Sequence, residues 1–260
     1  MMLRFVIALL LLAPKLAVAT PPPDLGDFAY QQKPGSQLPM QAVFRDEAGR
    51  SVKFLNLLHG KPLILALVYF HCPNLCGVVR ADLFNALGKT GMTAGHDYSL
   101  VALSIDPSET SADARMTKAD DLSHFGAPGA KQGWHFLTGS AAAVQSVADA
   151  VGFRDRYDPK LKQFLHPAGI VFATPTGVVS SYLLGVGYAP GDVRLGVTRA
   201  KTGTIAAAAL PVLLLCFHYD PQTGRYTLVV MKLVRLAGLI TVVTIAGTLF
   251  LAFRRERRRT

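Results

Sequence analysis

The chain has 260 residues, half of them hydrophobic and only 17% charged. That composition excludes a disordered chain. It suits one core of ordinary domain size carrying membrane segments, not two full domains. The formal net charge of +10 is unevenly spread: residues 254–260 hold five Arg and one Glu, leaving +6 elsewhere with no basic run and no basic–aromatic stripe. Nucleic acid is therefore not an expected partner. Three Cys exclude a disulfide-dense scaffold.

The N-terminus, MMLRFVIALLLLAPKLAVAT, has a positive Arg4, an apolar run and the small-x-small triplet Ala17-Val18-Ala19. Pro14 and Lys15 interrupt the run. It falls short of the roughly 20 apolar residues a membrane span needs. Residues 1–19 read as a signal peptide, with an uncleaved anchor as the alternative. Residues 20–40, rich in Pro and Gln, read as an extended linker.

From Gln41 the pattern is regular. QAVF, RDEAGR and SVKFL predict a hairpin with Gly49 in its turn. LILALVYF (63–70) and YSLVALSI (98–105) predict strands buried on both faces. Between them, Leu75, Val78, Val79, Leu83 and Leu87 show helical spacing, and Gly88 stops the helix. The loop at 106–110 leads to another helix, and Trp134 to Leu137 is a short strand. Ser140 is placed to cap the helix AAAVQSVADAVG. Residues 168–173 and 178–182 predict a hairpin around Thr174-Pro175-Thr176-Gly177, and a last helix starts near Ala189. Alternating strands and helices imply a layered α/β domain over 41–200.

The C-terminal run at 236–253, LAGLITVVTIAGTLFLAF, is uncharged and about as long as a membrane helix requires. Residues 233–253 are expected to span, and the Arg-rich tail at 254–260 is expected in the cytoplasm. The exported domain then faces the periplasmic side of a bacterial-type inner membrane. A shorter apolar stretch in the juxtamembrane segment 201–232, TIAAAALPVLLLCF, contains Pro211 and reads as packed or interfacial.

The informative segment is Tyr69-Phe70-His71-Cys72-Pro73-Asn74-Leu75-Cys76. It sets two Cys between a buried strand and a helix N-terminus, whose partial positive charge and unpaired N–H groups favour thiolate. Residues four apart on a helix have Cβ atoms about 5–6 Å apart. A disulfide needs about 3.5–4.5 Å, so closing the pair requires a loosened first turn. Held open, two thiolates converge on one metal ion. Two Cys do not complete a metal site, and soft thiolates plus one imidazole select copper or zinc. His166, in the loop entering the strand at 168, is the best-placed third ligand. A plain structural disulfide is the competing reading of the Cys pair. His71 is expected to point elsewhere, His135 to be structural, and His59, His96 and His124 to be loop or surface residues. Cys216 and His218 form a C-x-H after an apolar run, for which a buried structural Cys is the default.

VYFHCPNLCG, then SIDPSET (104–110), GWHFLTG (133–139), AVGF (150–153) and His166 come in an order that resembles the Sco/SenC proteins, copper-binding assembly factors for cytochrome c oxidase. The C-terminal part is similar to a membrane-anchored branch of that family. The resemblance implies a thioredoxin-like fold with an extra hairpin and copper held by Cys72, Cys76 and His166. It also implies Asp106 as an acidic neighbour of the site, not a ligand. Many members carry Asp directly before the metal-binding His; here Leu165 stands there and Pro167 follows. The expected partners are the copper-bearing subunit of the oxidase and other copper carriers. A thiol–disulfide oxidoreductase using Cys72 and Cys76 is the alternative, and a peroxidase fits poorly because no Arg is evidently placed for it.

Overall fold

The computed structural model describes residues 30–72, 75–160 and 162–208, and a few helical residues between 238 and 254. The expected signal peptide, Cys216, His218 and most of the expected membrane span lie outside the described residues. Among the described residues, no helix is long and apolar enough to cross a membrane.

The chain first forms a hairpin, β1 (Val43–Arg45) and β2 (Ser51–Lys53). Gly49 turns it at φ 80°, where a side chain would be strained. Asp46 stiffens the turn by accepting the N–H groups of Ala48 and Arg50 and the Arg50 guanidinium. The short helix α1 (Phe54–Leu58) follows and buries Phe54, Leu57 and Leu58.

The core is a five-stranded sheet in the order β5-β4-β3-β8-β9. Strands β3 (Leu63–Val68) and β4 (Ser99–Ser104) are parallel and buried along their whole length, as their unbroken apolar runs require. Helix α2 (Leu75–Gly88) makes the crossover between them. Helices α3 (Ser111–His124) and α4 (Ala130–Gly133) lead to β5 (Trp134–Leu137), parallel to β4. A reciprocal capping box between Thr110 and Asp113 starts α3. Ser140 caps α5 (Ala141–Val151), accepting from the N–H of Ala143, and Gly152 ends it in the left-handed conformation.

A second hairpin, β6 (Arg156–Asp158) and β7 (Gln163–Leu165), precedes β8 (Gly169–Ala173). Strand β8 runs antiparallel to β3, and β9 (Val179–Leu184) antiparallel to β8. Helix α6 (Pro190–Lys201) closes the domain against β8, β9 and α2. Strands β3, β4, β8 and β9 with α2 and α6 make the expected thioredoxin-like unit, and β5 widens its sheet. Sequence periodicity did not show α1, α4, β6 or β7, which are too short for a periodic signal.

Both sheet edges are covered, which removes unpaired strand backbone from solvent. Beside β5, Arg45 and Thr138 exchange backbone hydrogen bonds of 2.8 and 3.0 Å. Glu47 accepts the Phe136 N–H and pairs with Lys118. Beside β9, the chain at 35–38 bonds to Val179 and Gly177. The stretch expected to be an extended linker is packed on the domain from Tyr30 onward. Tyr30 is buried edge-on against Phe153 and Tyr182, a pairing invisible to composition. After α6 the chain returns to the same strand, where Ser180 Oγ donates to the Thr204 carbonyl and Ser180 O accepts from Ala206.

Candidate metal centre

Cys72 follows β3, whose direction carries the buried Tyr69 and Phe70 to the C-terminal end of the sheet. Cys76 belongs to the first turn of α2, but its side chain and residues 73–74 lie outside the described residues. Cys72 is half-buried against the core.

The β3–β8 register brings His166 to this end. Leu63 pairs with Ala173 and Leu65 with Val171, antiparallel. Continued past the last paired residue, that register sets His166 opposite Phe70, two residues before Cys72. The side chains agree with it: the Tyr69 and His166 rings meet edge-on, with centroids 5.9 Å apart. Phe153 packs on His166 from another direction at 5.8 Å. His166 is buried, and its Nδ1 lies 3.1 Å from the Pro167 carbonyl. A carbonyl only accepts, so this contact calls for the proton on Nδ1 and leaves Nε2 as the candidate ligating nitrogen. Metal-ligating imidazoles use either nitrogen and commonly donate the other N–H to an acceptor such as this carbonyl. Cys72, a soft thiol, and the buried imidazole are donor types that fit copper.

The acid beside His166 comes from a place the motif does not show. Leu165 cannot supply it, but Asp155, just after the AVGF segment, interacts electrostatically with His166. Burial pushes the Asp155 carboxyl above its ordinary value, while His166 attracts it in the opposite direction.

Other expected residues fall where they were placed or nearby. His71 is exposed and faces acids, with Nδ1 3.1 Å from Glu109 and Nε2 3.4 Å from Asp113. His135 is half-buried, and burial holds its imidazole below the usual value. His96 meets Asp97, and His124 meets Ser123 and Asp120. The Asp106 carboxylate is taken up locally by the backbone and hydroxyl of Ser108. The acid that reaches the Cys72 turn is Glu109, which accepts the N–H groups of Phe70 and His71. Among the described residues, no three His, Cys, Asp or Glu side chains converge to hold a metal. The expected trio includes Cys76, whose side chain is outside that set.

The SCO1/SenC family model matches residues 34–187. The chain belongs to the SCO1/SenC family. Solved structures share its fold. A provisionally described electron transfer protein from Aquifex aeolicus VF5 is 24% identical, with 65% of this chain and 95% of that one covered and a TM-score of 0.59. Arabidopsis thaliana ScoI, solved with copper bound, is 20% identical, with 66% and 99% covered and a TM-score of 0.51. BsSco, described as a member of the Sco family of cytochrome c oxidase assembly proteins with a disulfide switch, is 19% identical, with 66% and 97% covered and a TM-score of 0.50. No curated protein matches the chain. The SCO1/SenC match spans the region from the chain beside β9 to the start of the loop before α6, so it includes Cys72, Cys76 and His166.

Proposed function

We propose that this SCO1/SenC protein is a copper metallochaperone. It holds one copper ion through Cys72, Cys76 and His166 and passes it to the copper-bearing subunit of cytochrome c oxidase, receiving it from other copper carriers. The observation that carries the reading is the packing of Tyr69 on His166, which brings a buried imidazole to the turn bearing Cys72. Family membership supports it, as do the copper bound in Arabidopsis thaliana ScoI and the assembly role ascribed to the family of BsSco.

Each residue has a task in this scheme. The helix N-terminus beneath Cys76 favours thiolate, so the pair takes up a soft ion readily. His166 contributes a ring nitrogen oriented by the contact of its Nδ1 with the Pro167 carbonyl. Three protein ligands leave a position through which an acceptor's ligand can enter, which transfer requires. The domain is proposed to be exported and held at a bacterial-type inner membrane by residues 233–253, with the Arg-rich tail in the cytoplasm. Such a tether raises the local concentration beside a membrane-bound client.

The test is copper stoichiometry on the reduced full-length chain in detergent, wild type beside His166→Ala. One tightly held copper per chain, lost or much weakened in the variant, is the expected result. No copper in the wild type, with the Cys pair still cycling against a dithiol buffer, would replace the reading with thiol–disulfide exchange.

A further inference from the structure

The loop between β4 and α3 holds a carboxylate that ties the end of β4 to the turn that presents Cys72. Glu109 has a side chain only 2% exposed. Its Oε2 accepts the Phe70 N–H at 2.9 Å and the Ser104 hydroxyl at 2.5 Å. Its Oε1 accepts the His71 N–H at 2.7 Å and lies 3.1 Å from His71 Nδ1. A carboxylate offers about four lone-pair sites; three donors occupy them, and His71 Nδ1 lies beside the carboxylate as well. A buried charge without such partners would be strongly disfavoured.

The need for it arises from the fold. The β3–β4 ladder ends at the pair Val68 and Ser104. Beyond it the chain must turn away from the sheet, and the N–H groups of Phe70 and His71 are left without a strand to receive them. Both point at one acceptor, which fixes the path of the backbone into Cys72. Ser104, the last residue of β4, anchors the acceptor from the other side. On the far side His71 Nε2 faces Asp113 of α3, so the turn is held from the loop and from the helix.

We propose that Glu109 is a positioning residue of the copper site, setting the backbone that presents Cys72. The proposal rests on the copper reading above and deepens it. Partners that orient metal ligands without touching the metal change affinity typically by about 10–100-fold.

The experiment uses the full-length chain in detergent with Glu109→Gln, Glu109→Asp and a control, Tyr98→Phe. Tyr98 lies before β4, at the opposite end of the sheet, where its hydroxyl accepts from Trp134 Nε1 at 3.3 Å. Copper(I) affinity is read by competition with a chromophoric chelator. The thiolate-to-copper charge-transfer band is read on the copper(II)-loaded protein, and Tm is read for all. Glu109→Gln keeps the shape but replaces one acceptor oxygen by a donor. Its expected effect is a loss of affinity of about 10–100-fold with a shifted band. Glu109→Asp, still anionic but shorter, is expected to fall between it and wild type. Tyr98→Phe is expected to lower Tm and leave affinity and band unchanged. Wild-type affinity and band in Glu109→Gln would overturn the proposal. So would their loss in Tyr98→Phe at an equal drop in Tm.

If the wild type takes no copper, the copper reading fails separately. The turn is then read by iodoacetamide alkylation of Cys72 in a Cys76→Ser, Cys216→Ser background. A several-fold change in the pH–rate profile on Glu109→Gln sustains the positioning role, and an unchanged profile overturns it.

Discussion

Tyr69 and His166 pack edge to face with ring centroids 5.9 Å apart, although they lie in different halves of the domain. This contact turns a cysteine motif and a distant histidine into one candidate site. It follows from the pairing of β3 with β8, which sets the approach to Cys72 beside the entry to β8.

The wall behind His166 is testable through Phe153. This ring is buried and touches both Tyr30 and His166. Phe153→Ala is expected to cost about 3–5 kcal/mol of stability by cavity formation. It should also weaken copper binding, because the imidazole loses the face that orients it. Denaturant unfolding and chelator competition read the two effects, and wild-type copper affinity in the variant would show that Phe153 does not orient His166.

Copper is expected to stabilise the folded chain, because the proposed ligands come together only in the native state. A ligand at about 100 times its Kd adds about 2.7 kcal/mol. Loading should raise Tm, and a chelator should return it to the unloaded value. His166→Ala should show a much smaller rise. An identical rise in the variant would place the copper elsewhere.

Gly152 decides whether the chain at 30–38 stays on the domain. It stands at φ 66°, and a Cβ there would fall on the Gln31 carbonyl oxygen. The same two residues share a backbone hydrogen bond of 2.7 Å. Gly152→Ala is expected to cost about 2–4 kcal/mol through the left-handed backbone and the clash. It should also expose the segment to protease well before the core. Limited proteolysis at native conditions checks this; a segment as protected as in wild type would mean that Gly152 does not govern its docking.

The hairpin turn carries a pH dependence. Burial pushes the Asp46 carboxyl up, but hydrogen bonds from Arg50 and Ala48 outweigh it and hold the group below its ordinary value. A carboxyl lowered on folding adds stability above its unfolded pKa of about 3.9, and that stability is lost as pH falls through the folded value. Asp46→Asn is expected to lower stability by about 1 kcal/mol at neutral pH. The difference from wild type should shrink toward acid. Melting curves from pH 7 down to pH 3 check the sign.

Much of the architecture was legible in local pattern. LILALV and SLVALS announced strands covered on both faces, Ser140 announced a helix start, and Gly49 and Gly177 announced turns. The two cysteines between strand and helix, and the histidine before a strand, were legible in the same way. Asp106 was the conspicuous acid of its motif, yet its carboxylate binds Ser108, two residues away. Glu109 was passed over, and it is the acid that grips the cysteine turn. Asp155 was passed over as well, because nothing in its neighbours shows that it interacts electrostatically with His166.

The division has a physical cause. Hydrophobic periodicity, capping and turn preferences act over a few residues, so the chain alone specified its longer elements, its class and the chemical kinds of its donors. The partners of Glu109 in the cysteine turn are 38 and 39 positions away, and those of Tyr69 and Tyr30 are further still. Such pairs are chosen when strands select neighbours and loops meet at one end of a sheet. Only the folded chain therefore showed which acid serves the cysteine turn, which rings hold the histidine, and that the chain at 30–38 belongs to the domain.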